Sequence, residues 1–214
     1  MAVLVNIKKD KKIYKLFGEE GYFAFIYRSD MKDFGIKLPK KSDDEDEFSD
    51  SEISVSLDED TVERITDLCV RRAFDKGADY LSISEQCAYD IRFKLLKKDY
   101  PDSVISRAII MLKEYGYLND GRFAESYTRS YMGSKSREAI IRELDHKCPG
   151  LDDICGIVDQ VYQDYDCDED EVIKNLIEKK FRGQDMSNER VRRRAMNLLL
   201  RHGFSFDKIN KHLT

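Results

Sequence analysis

One spacing occurs three times in this chain: Leu95, Tyr100 and Ile105, then Leu144, Pro149 and Ile154, then Leu199, Phe204 and Ile209. Each set reads as a helix ending on leucine, a ring residue filling the corner, and a new helix opening toward isoleucine. The sets lie 49 and 55 residues apart, which implies tandem units of about fifty residues, each of three helices. A unit this small buries one face only by leaning on its neighbours. The chain is therefore expected to be mainly α, its three-helix repeats forming an elongated curved array.

The stretch from Tyr115 to Tyr127 shows one such corner in detail. Gly116 suits the left-handed position just past a helix end, and Tyr117 and Leu118 can fold back onto the last turn. Asn119 or Asp120 then caps the next helix. Phe123, Tyr127 and Tyr131, four apart, line one face of it. Further helices are expected from Ile105, Ala108, Ile109 and Leu112 with Asp102 or Ser103 as cap, and from a capping box at Ser82 and Glu85. The first repeat is placed at 58–116, the second at 117–166 and the third at 167–214.

Residues 2–29 carry a different pattern. Val3, Val5 and Ile7 alternate with other residues, and Ile13–Phe17 and Tyr22–Tyr27 follow, divided by Gly18 and Gly21. This enrichment in aromatic and β-branched residues predicts a small antiparallel sheet within residues 1–41. Lys8, Lys9, Lys11 and Lys12 would form its first turn, read either as solvated or as a phosphate contact.

Charge is strongly segregated although the chain totals only −5. Residues 1–41 carry a net +5, 42–60 a net −10, 116–173 a net −8 and 174–214 a net +7. The acidic, serine-bearing run from Ser42 to Glu52 repels itself, so 42–57 is expected to be a flexible linker. Basic ends of this kind suit a charged partner. No run approaches the roughly 18 apolar residues of a membrane span. Charge follows the first apolar residues too closely for a signal peptide, and five cysteines without a Cys-x-x-Cys pair suit a reducing cytosol. The expectation is a cytoplasmic protein with no membrane contact.

Catalysis has little support. His146, His202 and His212 lie at helix ends with no nucleophile or carboxylate at motif spacing. His146, Cys148, Cys155 and Cys167 match no zinc-finger spacing, and no phosphate-binding glycine loop is present. No enzyme, metal or cofactor is expected. The strongest candidate is a basic surface of Lys179, Lys180 and Arg182 followed by Arg190, Arg192, Arg193, Arg194 and Arg201 on one helix capped by Ser187. It reads either as a solvated helix face or as a surface for phosphates or acidic side chains. If the second, reversing Arg190, Arg192 and Arg194 to Glu should abolish binding.

The run Gly-Tyr-Leu-Asn-Asp-Gly-Arg-Phe-Ala-Glu-Ser-Tyr, 116–127, resembles the signature of the RecX family, regulators of the bacterial recombinase RecA. Gly116, Tyr117, Leu118, Asp120, Arg122, Phe123 and Ala124 carry that match. Leu199 to Ile209, with Gly203 and Phe204, resembles the family's ending. Lys135 and Glu143-Leu144 match its central segment in part, whereas Ser136 stands where the family has Gly and Cys148-Pro149 where it has Gly-Ile. The resemblance implies a non-enzymatic regulator; a monomer is expected. It would bind the RecA filament on DNA, contact single- or double-stranded DNA, and restrain filament assembly in recombination, repair and the SOS response. The alternative is a stand-alone DNA-binding protein of helix-turn-helix type, which a pI near 5.4 weakens.

Overall fold

The computed structural model describes residues 2–37 and 53–213. Its elements are β1 (Ala2–Asp10), β2 (Ile13–Gly18), β3 (Gly21–Tyr27), a short 3-10 turn (Asp30–Lys32), β4 (Ile53–Asp58), α1 (Glu59–Ile83), α2 (Ala88–Leu96) and α3 (Asp102–Glu114). Then come α4 (Asp120–Tyr131), α5 (Arg137–Lys147), α6 (Ile154–Asp164), α7 (Glu169–Phe181), α8 (Glu189–Arg201) and α9 (Phe206–Leu213). The helices carry the three-helix pattern that the corner spacing predicts, with an antiparallel sheet at the N-terminal end. Two compact units result, one of Met1–Ser84 with Asp90–Leu118, the other of Glu85–Tyr89 with Asn119–Thr214.

In the first unit the strand order is β3-β2-β1-β4, antiparallel throughout. Val5, Ile7, Leu16, Ala24 and Ile26 fall on buried positions, as two-residue alternation requires. The lysine turn stays exposed, with Lys11 at φ 53°. The acidic run 42–52 lies outside the described residues, but 53–57, assigned above to the linker by charge, is part of β4. Val55 pairs with Val5 and Leu57 with Val3, so an alternating Ile-Ser-Val-Ser-Leu segment finds its ladder on β1.

α1 is longer than expected. The helix runs through Ser82, whose hydroxyl donates to the Asp79 carbonyl at 2.8 Å, so the expected capping box does not form. Its inward face of Ile65, Cys69, Ala73 and Gly77 meets α3. A Cβ on Gly77 would lie 2.6 Å from Leu112 Cδ1, so glycine sets how closely these helices approach. α3 begins at Asp102 after Pro101, without a side-chain cap.

Asp30 locks the turn after β3. Its carboxylate accepts from Arg72 Nη1 at 2.7 Å and Nη2 at 2.9 Å, and from the Tyr27 amide at 2.8 Å. Arg72 also lies 4.9 Å from the centre of the Tyr27 ring. Burial pulls the Asp30 carboxyl upward, but the hydrogen bonds from Arg72 and Tyr27 prevail and hold it below its ordinary 3.8. The folded value is the lower one, so its contribution to stability is complete above the ordinary range and fades as pH falls through the folded value. Asp30→Ala is expected to cost about 3 kcal/mol in urea unfolding at neutral pH, because it leaves a half-buried guanidinium unpaired. The deficit should shrink below about pH 4.

The second unit has two cores. Phe123, Ala124, Ile140, Leu144, Cys148, Ile154 and Val158 build one with Cys87, and Ile173, Leu176, Ala195, Leu199, Phe204 and Ile209 dominate the other. Corners of one design end three helices. The Phe204 amide donates to Leu199 O at 3.2 Å with Gly203 at φ 88°, and Tyr100 donates to Leu95 O at 3.3 Å. At Gly116, φ 72°, Leu118 donates to Leu112 O at 3.0 Å. The middle corner departs from this. Pro149 has no N–H to donate and is exposed; buried Cys148 fills the corner, and the Leu151 amide closes it onto Cys148 O at 3.0 Å.

Candidate partner-binding surface

The signature residues act as structural ties. Asn119 caps α4 by accepting the Arg122 amide at 2.9 Å, which leaves Asp120 to accept the Ala88 amide at 2.8 Å. The Arg122 guanidinium donates to Glu85 at 2.6 Å. Phe123 and Ala124 are buried in the first core, Leu118 is buried at the corner, and Tyr117 stays exposed against Phe74.

The second and third repeats meet at Gly203. Ser136, fully buried, caps α5 by accepting the Ala139 amide at 3.1 Å and donates its hydroxyl to Gly203 O at 2.7 Å. Its own amide donates to His202 O at 2.9 Å. A Cβ on Gly203 would stand 2.5 Å from Ala139 Cβ and 2.9 Å from Ser136 Oγ. Glu169 completes the seam by accepting the Arg137 amide at 2.6 Å and the Lys208 ammonium. The histidines serve the same scaffold. His202 meets the Ser134 carbonyl, His212 lies 3.0 Å from Asp170, and His146 packs near Tyr89.

On this frame α8 presents its arginines unequally. Arg190, Arg194, Asn197 and Arg201 fall on one stripe at helical spacing. The cap of α8 is Asn188, which accepts the Arg190 amide at 2.9 Å; Ser187, the expected cap, is held instead by Asp185 at 2.8 Å. Lys180, Arg194 and Arg201 converge on a groove floored by Phe181 and Leu198, with Arg194 5.8 Å from the Phe181 ring centre. Arg193 turns away to pair with Glu189 at 3.0 Å. Lys179, Arg182, Arg190 and Arg192 are exposed and line no part of this groove.

A second groove crosses the seam and was not foreseen. Lys135, Arg142, Lys147 and Arg201 surround Tyr89, Tyr127, Ala139 and Leu200. Glu143 accepts Lys135 at 2.5 Å and the Tyr127 hydroxyl. Burial raises the Glu143 carboxyl, yet the bonds from Lys135 and Tyr127 leave it below its ordinary value. Lys135, Arg142 and Lys147 lie in residues 116–173, whose net charge of −8 masks them. A third groove, with Arg129, Asp166, Asp168 and Glu171 on its walls, carries the opposite sign. Among the described residues no cluster of histidine, cysteine and carboxylate side chains is placed to hold a metal ion, and no helix is long and apolar enough to cross a membrane.

Tandem three-helix repeats seamed by buried polar caps, with charged open grooves on the surface, define a helical-repeat protein. Comparison with known proteins agrees. Residues 168–213 match the family model described as RecX, third three-helix domain. The regulatory protein RecX of Bacillus velezensis is 30% identical over 210 residues, spanning 96% of this chain and 73% of that one. A crystal structure of regulatory protein RecX matches in fold at TM-score 0.54 and 21% identity, covering 98% of both chains. That of RecX from Lactobacillus salivarius matches at TM-score 0.51 and 27% identity, over 66% of this chain and 92% of that one. The chain belongs to the RecX family.

Proposed function

We propose that this chain regulates the RecA recombinase without catalysis of its own. It binds the nucleoprotein filament and restrains filament assembly and activity. The observation that carries this reading is the family relationship over nearly the whole chain, because the RecX signature at Gly116–Tyr127 implies a RecA regulator. The convergence of Lys180, Arg194 and Arg201 supports it, since planar guanidinium groups on an open groove suit carboxylates or phosphates of a large partner. Localisation in the cytoplasm and action as a monomer belong to the same reading.

A stand-alone DNA-binding role has one observation in its favour: the arginine-rich α8 is the second helix of a three-helix unit. Fluorescence anisotropy separates the two. Labelled protein is expected to bind RecA filaments assembled on single-stranded DNA far more tightly than the same DNA alone. Equal affinity for both, with a steep loss as salt rises, would favour the DNA-binding reading.

A further inference from the structure

We infer that the seam groove between α4, α5 and α8 receives an acidic amphipathic segment of a protein partner. This deepens the proposed function and rests on the premise that the chain engages a protein. The groove joins an apolar surface and a set of cations. Its floor is apolar, with Leu200 44% exposed beside Ala139 and Gly203, and its rim carries Arg142, Lys147 and Arg201. The contact of Gly203 on Ala139 fixes that floor. An apolar residue of the partner seats on Leu200 while its carboxylates meet the rim, the arrangement of a helix laid into a groove.

Nucleic acid fits less well. Strand binding uses aromatic faces as stacking platforms for bases. Here cations already lie over the Tyr127 ring, with Lys135 Nζ 5.8 Å and Lys147 Nζ 6.0 Å from its centre, and the groove's other ring, Tyr89, packs near His146. Tyr127 also commits its hydroxyl to Glu143, whose charge Lys135 already pairs. An exposed leucine among these cations gives a phosphate nothing and an apolar side chain a seat.

The probe is a short fluorescein-labelled peptide of Glu and Leu at helical spacing, titrated with the full chain in an anisotropy assay. We expect binding, and a loss of about tenfold or more on Arg142→Glu and on Leu200→Glu. Lys174→Glu, exposed on α7 and off the groove, should leave the affinity unchanged, and excess oligo-dT should not displace the peptide. Both groove positions lie at the surface, and unchanged thermal unfolding of each variant excludes a folding defect. No peptide binding, binding indifferent to both groove variants, or displacement by oligo-dT overturns the inference. ATP hydrolysis by RecA, measured with the same proteins, separates this from the wider reading. Restraint of RecA that survives both groove substitutions refutes the groove assignment and leaves the regulator standing. Groove-dependent peptide binding without any effect on RecA upholds the groove and refutes the regulator.

Discussion

Gly203→Val is expected to lower the unfolding free energy of the α4–α9 unit by about 3 kcal/mol or more, seen as an earlier urea midpoint by circular dichroism. Two costs add at this position. Gly203 has φ 88°, a region that L side chains rarely adopt and β-branched ones resist. A Cβ would also press on Ala139 Cβ at 2.5 Å, and helix α5 cannot withdraw while Ser136 holds both the Gly203 and His202 carbonyls. Gly116 provides the control. It too is left-handed, φ 72°, but nothing lies within 4 Å of its would-be Cβ. Gly116→Val should therefore cost only the backbone term, about 2 kcal/mol. Equal costs at the two glycines would mean that the repeats are not locked at Gly203.

Arg194→Glu combined with Arg201→Glu should weaken binding to RecA filaments by about thirtyfold or more, with little change in unfolding. Both side chains are exposed, so their reversal disturbs no core, and with Lys180 they set the sign of the α7–α8 groove. Arg201 lines the seam groove as well, which is why the pair outweighs either residue alone. Lys179→Glu with Arg192→Glu changes the net charge equally but falls outside the groove, and is expected to alter binding only slightly. Equal losses from the two pairs would mean that bulk charge, and not this groove, attracts the partner.

Local rules reached the helices and two of the three corners, because leucine, a ring and isoleucine at fixed spacing encode a short-range design. They failed in detail at the cap expected of Ser82, which α1 runs through, and at the Ser187 cap and the Pro149 corner, where a neighbouring residue took the role. They failed more widely where partners are distant in sequence. Strand β4 alternates openly at Ile53, Val55 and Leu57, but its ladder on β1 lies about fifty residues back, and the acidic block beside it dominated the reading. The tie between Asp30 and Arg72 is hidden for the same reason. Ser136 stands where the family has glycine, and its buried hydroxyl, bonded to a carbonyl 67 residues on, is a joint between repeats.

The candidate site was half legible. Clustering singled out the basic residues, but only the fold selects Lys180, Arg194 and Arg201 from among them. Arg193 is diverted by Glu189, one turn back on α8. The seam cations Lys135, Arg142 and Lys147 were hidden among fourteen carboxylates in residues 116–173, where a count of net charge cancels them. Helical spacing does group Lys135, Ala139, Arg142 and His146 on one side of that segment, and this was the signal available.

The most direct test of the central claim is ATP hydrolysis by the cognate RecA on single-stranded DNA, with this protein added well below one per recombinase. The account predicts a strong loss of hydrolysis at that ratio, because a regulator that restrains filament assembly acts on many subunits at once. Undiminished hydrolysis, even at equimolar protein, would contradict it.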